Sequence, residues 1–247
     1  MCGRKGNMYI YGRNPVKEAY RAGKTIEKLF ILKGEFDPTL NTIRKLAKEQ
    51  RTVISLVDRY ALDKMANGGN HQGVVAAVTD FEYSDVDDIL ALAKEKEEPL
   101  LVVILDGITD PHNLGAIIRS AECFGAHGII IPKHRSVSVN DTVIKVASGA
   151  TEHILVAKVT NINDTIRDLK DKGVWIYATD FDGDNPKTVN LTGDIAIVIG
   201  SEGEGIHRLT KDLSDATLTI PQYGKVNSLN ASVAAGIVLY EATRQRR

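Results

Sequence analysis

The sequence predicts an α/β fold in two parts, a small N-terminal unit followed by a larger unit built on a parallel sheet. Three observations carry that reading. Leu101-Val-Val-Ile-Leu105 and Ile195-Ala-Ile-Val-Ile199 are near-continuous apolar runs of strand length, as expected of parallel strands covered on both faces. Strand and helix patterns alternate along most of the chain. One acidic stretch, Glu82 to Pro99, interrupts the alternation.

In the N-terminal unit, residues 8–80, Tyr9 to Gly12 reads as a short extended segment. Asn14-Pro15 opens a helix through about Ala22, with proline at the first helical position. Ile26 to Leu32 alternates like a strand. Thr39 to Gln50 is helical, with Leu40, Ile43, Leu46 and Ala47 on one face. Val53 to Val57 and Val74 to Val78 read as strands around a helix at 58–66, and Asn67-Gly68-Gly69-Asn70 as a turn. The connector, residues 81–98, places its acids early and its lysines late, which suits the dipole of a linking helix that Pro99 then ends. In the unit at 99–247, strands are expected at 100–106, 128–131, 153–158, 174–178, 195–199 and 216–220. Helices are expected near 113–124, 139–147, 162–171, 205–211 and 230–244. Trp175 and Cys123 are expected in the core.

The 247-residue chain has a net charge of −1, which by itself advertises no polyanionic partner. The balance is uneven. Residues 1–80 carry 14 Lys/Arg against 8 Asp/Glu, residues 81–98 carry 2 against 7, and residues 99–247 carry 15 against 17. The basic first part is the better candidate for a grip on nucleic acid, although a solvated basic face is an equally good account of charge alone. The apolar runs are too short to span a bilayer, and no apolar leader is evident. The two cysteines, Cys2 and Cys123, suggest no structural disulfide. No Cys/His cluster has metal-ligand spacing, so no metal is expected. Together these point to a cytoplasmic protein.

In parallel α/β sheets ligands sit beyond the carboxyl ends of the strands. Three polar, glycine-bearing stretches fall there. The first, Asp106 to Ser120, contains Asn113, Gly115 and Arg119, with Asp110 or Asn113 as helix cap and Gly115 open to a neighbouring backbone. The second, Gly200-Ser-Glu-Gly-Glu-Gly205, could bring backbone N–H groups to a ligand. Its spacing is not a dinucleotide fingerprint, and its two glutamates suit a neutral or cationic ligand better than a pyrophosphate. The third, Thr219 to Ser232, groups Asn227, Ser228, Asn230 and Ser232 at a helix start around an apolar Leu229. Read singly, these are a capped helix with a surface arginine, a tight turn and an N-cap.

Taken together, the three stretches resemble the motifs of the SpoU branch of the SPOUT methyltransferases. Asn113-x-Gly115-x-x-x-Arg119, Gly200-Ser-Glu-Gly-x-Gly205 and Ile220 to Ala234 match in order and spacing. Gly12-Arg-Asn-Pro-Val16 and Asn70-His-Gln-Gly-Val74 are similar to the family's small ribosomal-protein-like RNA-binding domain. Asn227 and Gln222-Tyr223 depart from the family's usual residues.

The resemblance implies a C-terminal domain with a deep trefoil knot, acting as a homodimer. It implies S-adenosyl-L-methionine as methyl donor, held by Gly200, Ile220 and Leu229 with Thr179 and Asp180 alongside. The implied activity is 2′-O-methylation of a ribose in RNA. The likeness is greatest to RlmB-type members acting on a guanosine of 23S ribosomal RNA, with transfer RNA and resistance-type ribosomal RNA targets as alternatives. By match, Arg119 holds the central catalytic place, supported by Asn113, Glu202, Ser228 and Asn230. An arginine stays protonated at any physiological pH, so a phosphate clamp that stabilises oxyanion charge suits Arg119 better than a base. Arg13, Asn14 and Arg135 are candidate RNA contacts, with His71 behind them. DNA and membranes are not expected partners. His112, His127, His134, His153 and His207 read as solvent or cap residues. A non-catalytic RNA-binding protein and a nucleotide oxidoreductase are the rival classes. The intact Asn113, Arg119, Glu202, Ser228 and Asn230 disfavour the first, and the glycine spacing disfavours the second.

Overall fold

The computed structural model describes residues 8–22, 24–35, 37–50, 52–78, 81–203, 205–225 and 228–246. Cys2 and Asn227 lie outside them. The chain divides after Glu82 into two compact units.

The first unit is a four-stranded mixed sheet. Its strands are β1 (Met8–Tyr11), β2 (Ile26–Leu32), β3 (Val53–Val57) and β4 (Val74–Val78), in the order β1-β4-β2-β3. Strand β4 runs antiparallel to both β1 and β2, and β2 runs parallel to β3. The helices are α1 (Arg13–Arg21), α2 (Pro38–Glu49) and α3 (Arg59–Met65). Val16, Ala19 and Tyr20 of α1 and Leu40, Ile43 and Ala47 of α2 bury against Leu29, Ile31, Val74 and Ala76. Leu62 of α3 and Ala66 cover Val75 with Phe30 and Leu32 in a separate cluster. The two clusters follow from strand alternation, which sends successive side chains to opposite faces.

The second unit begins with α4 (Val86–Glu95), the expected linking helix. It does not stand free. Ile89 and Ala93 join the core of this unit, and Gly128 leaves the room that Ile89 fills, since a Cβ there would lie 2.5 Å from the Ile89 side chain. The strands are β5 (Leu101–Asp106), β6 (Gly128–Pro132), β7 (Leu155–Val159), β8 (Trp175–Asp184), β9 (Ile195–Gly200) and β10 (Ala216–Leu218). They form one sheet in the order β10-β8-β9-β5-β6-β7, every pair parallel. The helices are α5 (Pro111–Cys123), α6 (Asp141–Ala147), α7 (Ile162–Asp171), α8 (Arg208–Leu213) and α9 (Ala231–Arg246). All six residues of the central β5 are buried, as its unbroken apolar run requires.

Two expectations about the core are corrected. Cys123 is exposed, because α5 turns Leu114, Ile117, Ile118 and Ala121 inward and carries Arg119 and Cys123, four residues apart, on the opposite face. Trp175 is 58% exposed at the first residue of β8, its ring stacked along Tyr177 at 6.5 Å.

Two polar fasteners close the amino-terminal end of this sheet. Arg246, at the end of α9, donates to the carbonyls of Pro99, Leu100, Leu191 and Gly193. His127 is buried rather than solvent-facing. Its Nδ1 accepts from Leu101 N at 3.1 Å, so the proton of the neutral ring sits on Nε2, facing Glu98 at 3.2 Å. Burial pushes this imidazole below its ordinary range, over the opposing pull of Glu98. The unfolded chain therefore takes up the proton first as pH falls. Stability contributed by neutral His127 is present above about pH 6.5, the value of a free imidazole, and is lost as pH falls toward the depressed folded value. Urea unfolding at pH 7.5 and at pH 5 should show a smaller acid loss in His127→Gln than in the parent. An identical pH dependence in the two proteins would refute this.

Candidate active site

The candidate site lies at the carboxyl ends of the strands. A cavity of about 240 Å³ is enclosed by three loops. Thr179, Asp180 and Phe181 come from β8, Ile199 to Gly203 and Gly205 from the end of β9, and Leu218, Ile220, Gln222, Ser228, Leu229, Ala231 and Ala234 from the segment running into α9. Most of its wall is apolar, from Ile199, Leu218, Ile220, Leu229, Ala231 and Ala234.

The glycine loop is held shut on itself. Ser201 N donates to Gly205 O at 3.0 Å, and Gly205 N donates back to Ser201 O at 3.1 Å. Gly205 takes φ +68°, a left-handed conformation that favours glycine. A Cβ on Gly200 would lie 2.3 Å from the Gly205 carbonyl carbon, so only glycine fits there. The loop uses residues that a helix starting near 205 was expected to contain, and α8 therefore begins at Arg208.

Glu202 ties the loop to the other two motifs. Its Oε1 accepts from Asn113 Nδ2 at 3.0 Å, from Asn230 Nδ2, and from Ala231 N at 3.4 Å. Asn230 also donates to Asn113 Oδ1 at 2.9 Å, closing a triangle. Both readings of Asn230 hold together. Its Oδ1 caps α9 by accepting from Ser232 N at 3.0 Å, while its amide serves the triangle. The cap of α5 is Asp110, which accepts from His112 N at 2.9 Å, and this leaves Asn113 free for the network. Gly115 does permit close approach, since a Cβ there would meet Val143 O of α6 at 2.8 Å.

On the opposite wall, Thr179 Oγ1 donates to Val198 O at 2.9 Å, and Asp180 accepts from Phe181 N at 2.7 Å and Lys211 Nζ at 2.5 Å. Partial burial pushes the Asp180 carboxyl up, but the hydrogen bonds from Lys211 and Phe181 and the lysine's charge outweigh it and hold the carboxyl below its usual range.

Of the expected site residues, the structure gathers Gly200, Ile220, Leu229, Thr179, Asp180, Glu202 and Ser228 around the cavity, with Asn113 and Asn230 bonded to Glu202. It does not bring Arg119 there. That side chain is exposed and does not line the cavity. Arg135 and Asn14 are exposed elsewhere. Arg13 differs from expectation. Its guanidinium pairs with Glu35 at 2.7 Å and Asp37 at 2.8 Å and reaches Gln72 O at 3.1 Å, so it is committed inside the protein. His71, a weaker candidate, is buried between Asp63 and Gly73 N.

Sequence reasoning missed Phe181 and Gln222 in the cavity wall, and it missed Lys211 behind Asp180. It also missed the bond from His207 Nδ1 to the buried Asp106 at 2.8 Å. A signal for Phe181 existed in the polar run Thr179 to Asp184, which continues β8 beyond the apolar stretch. None marked Lys211 or His207, whose partners are 31 and 101 residues away.

Comparison with known proteins agrees with this geometry. The signature of the SpoU rRNA Methylase family matches residues 100–240, and that of RNA 2′-O ribose methyltransferase substrate binding matches residues 9–84. The chain is 47% identical over 239 residues to a Staphylococcus aureus protein assigned to the TrmH family of tRNA/rRNA methyltransferases, covering 96% of each. It is 44% identical over 240 residues to the Bacillus subtilis protein YacO, assigned to the same family, again covering 96% of each. Among solved structures it is similar to the SpoU methyltransferase AviRb of Streptomyces viridochromogenes in complex with AdoMet, with a TM-score of 0.62 at 27% identity over 97% of this chain and 90% of that one. The AdoMet-bound rRNA methyltransferase of Sinorhizobium meliloti gives a TM-score of 0.59 at 27% identity over 96% and 86%. A substrate-binding unit followed by a methylase unit, with all three motifs meeting at Glu202 beside one cavity, makes this chain a member of the SpoU/TrmH family of RNA 2′-O-ribose methyltransferases.

Proposed function

We propose that this protein methylates a ribose 2′-hydroxyl in ribosomal RNA, with S-adenosyl-L-methionine as donor and a guanosine of 23S RNA as target, as in RlmB-type enzymes. The observation that carries the reading is the convergence of three distant motifs on Glu202 beside an apolar cavity.

The cavity suits the donor. Its apolar wall accepts an adenine ring and a methyl group, and Gly200 lets backbone come close. Glu202 brings a carboxylate to the wall, which favours a cationic sulfonium over a phosphate-bearing cofactor, and Asp180 lies in the same wall with its charge paired to Lys211. Gly200, Ile220, Leu229, Thr179 and Asp180 would hold it. The donor supplies an electrophilic methyl group, which is the difficult part of the chemistry.

The protein must then place the 2′-oxygen and accept charge from it. Asn113 and Asn230 fix Glu202 through Oε1, and among the described residues Oε2 has no partner, which leaves it for a ligand. Ser228 lines the same wall and offers a hydroxyl to the ribose. Arg119 faces solvent beyond the cavity, a position suited to an RNA phosphate rather than to the donor. It clamps the phosphate beside the target ribose and stabilises developing oxyanion charge. In the first unit Asn14 is the exposed RNA contact, and Arg13 holds the surface that presents it by clasping Glu35 and Asp37.

The knot and the homodimer belong to the same proposal. Val233, Ile237 and Tyr240 lie along one face of α9 with exposures of 50%, 40% and 55%, an apolar stripe that a second copy would cover.

Tritiated methyl transfer from S-adenosylmethionine to total RNA, followed by mapping of 2′-O-methyl marks with and without the gene, tests the reading. A gene-dependent mark on a 23S guanosine is expected. A mark on transfer RNA would move the target, and no transfer to any RNA would overturn the proposal. Arg119→Ala should lower turnover about 100-fold or more with S-adenosylhomocysteine binding intact, judged from the cost of removing one oxyanion donor. Gly200→Ala should abolish S-adenosylhomocysteine binding by calorimetry, because the loop cannot close. Ile237→Glu should shift the protein to monomer in sedimentation.

A further inference from the structure

We propose that the loops following β5, β6 and β9 form a ridge that takes the phosphate backbone of RNA flanking the target nucleotide, with Arg135, His207 and Arg208 as its contacts. The inference rests on the RNA-methyltransferase reading above.

The three loops leave adjacent strands, because β5 lies between β9 and β6 in the sheet. The middle loop is bonded to both neighbours. Asp106, buried at the end of β5, accepts from His207 N at 2.9 Å and from His207 Nδ1 at 2.8 Å. Two residues on, Ile108 O accepts from Val137 N at 2.9 Å and Ser136 Oγ at 3.1 Å. Gly107 turns between them with φ +82°. A Cβ there would lie 3.7 Å from the His207 ring and 3.6 Å from Ser201, which lines the cavity. One short turn thus sets His207 against the outer side of the cavity wall and the 133–136 loop on its other flank.

The cations on this surface face outward. The Arg208 side chain is 95% exposed, with Asp212 no closer than 3.7 Å. Arg135 is exposed on a left-handed residue at φ +56°, and its guanidinium pairs with none of the described residues. With Nδ1 bonded to Asp106 and the side chain 44% exposed, His207 leaves Nε2 for a phosphate oxygen, to which the imidazolium form would donate. Two acids of the middle loop are engaged. Asp106 is bonded to His207, and Asp110 caps α5. Residues 99–247 carry 17 acidic side chains against 15 basic, so cations gathered at these strand ends do not follow from composition. Phosphate is the partner they fit, in a protein whose other unit is basic.

The test is an Arg135→Ala/Arg208→Ala double variant, which leaves the loop-to-loop bonds untouched. Fluorescence anisotropy with transcripts of a 23S RNA domain and of a transfer RNA is read between 50 and 200 mM KCl. The slope of log affinity against log salt should fall by about 1.5 for two lost phosphate contacts, equally on both transcripts, with S-adenosylhomocysteine affinity unchanged. His207→Gln, measured at pH 6, should remove about one further contact, and His207→Arg should restore it. Parental slopes in the double variant would overturn the ridge. So would a parallel loss of S-adenosylhomocysteine affinity, since the substitutions would then act through the cavity. Failure of the underlying activity shows separately, as absence of methyl transfer by the parent enzyme.

Discussion

One carboxylate oxygen organises the site. Glu202 Oε1 receives an amide from Asn113, 89 residues earlier, and another from Asn230, 28 residues later. Neither asparagine could hold the loops alone. Asn113 is buried, and a buried amide left without its partner costs about 1–3 kcal/mol. Charge-assisted bonds to a carboxylate are roughly twice as strong as neutral ones. The arrangement therefore resists partial assembly. Losing Glu202 or Asn230 leaves the buried Asn113 short of a partner. Stretches of all three motifs are thereby held together beside a cavity at the ends of β8 and β9.

What the sequence disclosed and what it hid divide along a physical line. Helix and strand periods are local, so β2, β3, β4 and α7 fall on the expected residues and most other elements lie within a few positions of them. The motif glycines were legible because only glycine tolerates the approaches at Gly115 and Gly200. The cavity residues were legible through their motifs, though not through composition. Side-chain direction was less legible. The motif gives Arg119 the central place, whereas helical rotation sets it with Cys123 on the outer face of α5. The end of β8 was lost because its last residues, Thr179 to Asp184, are mostly polar. They extend as a strand since Gly183 lets the backbone lie against Thr217 O, 2.4 Å from where a Cβ would stand.

Long-range polar pairs were invisible for a different reason. Arg13, Lys211, His207 and His127 are ordinary polar residues until the fold brings them partners. Arg13 is the clearest case. A basic residue in a motif near a helix start reads as a nucleic-acid contact, yet two carboxylates and a carbonyl take its donors. Asp37 serves both that clasp and the cap of α2, accepting from Thr39 N and Leu40 N. One acidic side chain thus joins the starts of α1 and α2. The sequence motif marks a structural fastener.

The same logic explains how a nearly neutral chain can serve two charged ligands. A sulfonium donor is cationic and RNA is a polyanion, so a single electrostatic surface cannot favour both. The structure separates the two fields by place. Asp180 and Glu202 line the cavity, where a carboxylate acts on a bound donor at short range. Arg119, Arg135 and Arg208 stand outside it on exposed surface, where their fields reach solution and are screened by salt. Lys211 belongs to neither set. It is bonded to Asp180 from the far side and anchors that carboxylate. Counting charges over the whole sequence cancels these terms against one another. In the proposed reaction their separation lets the donor settle in the recess while the RNA is drawn to the rim, and the ribose meets the methyl group where the two regions touch.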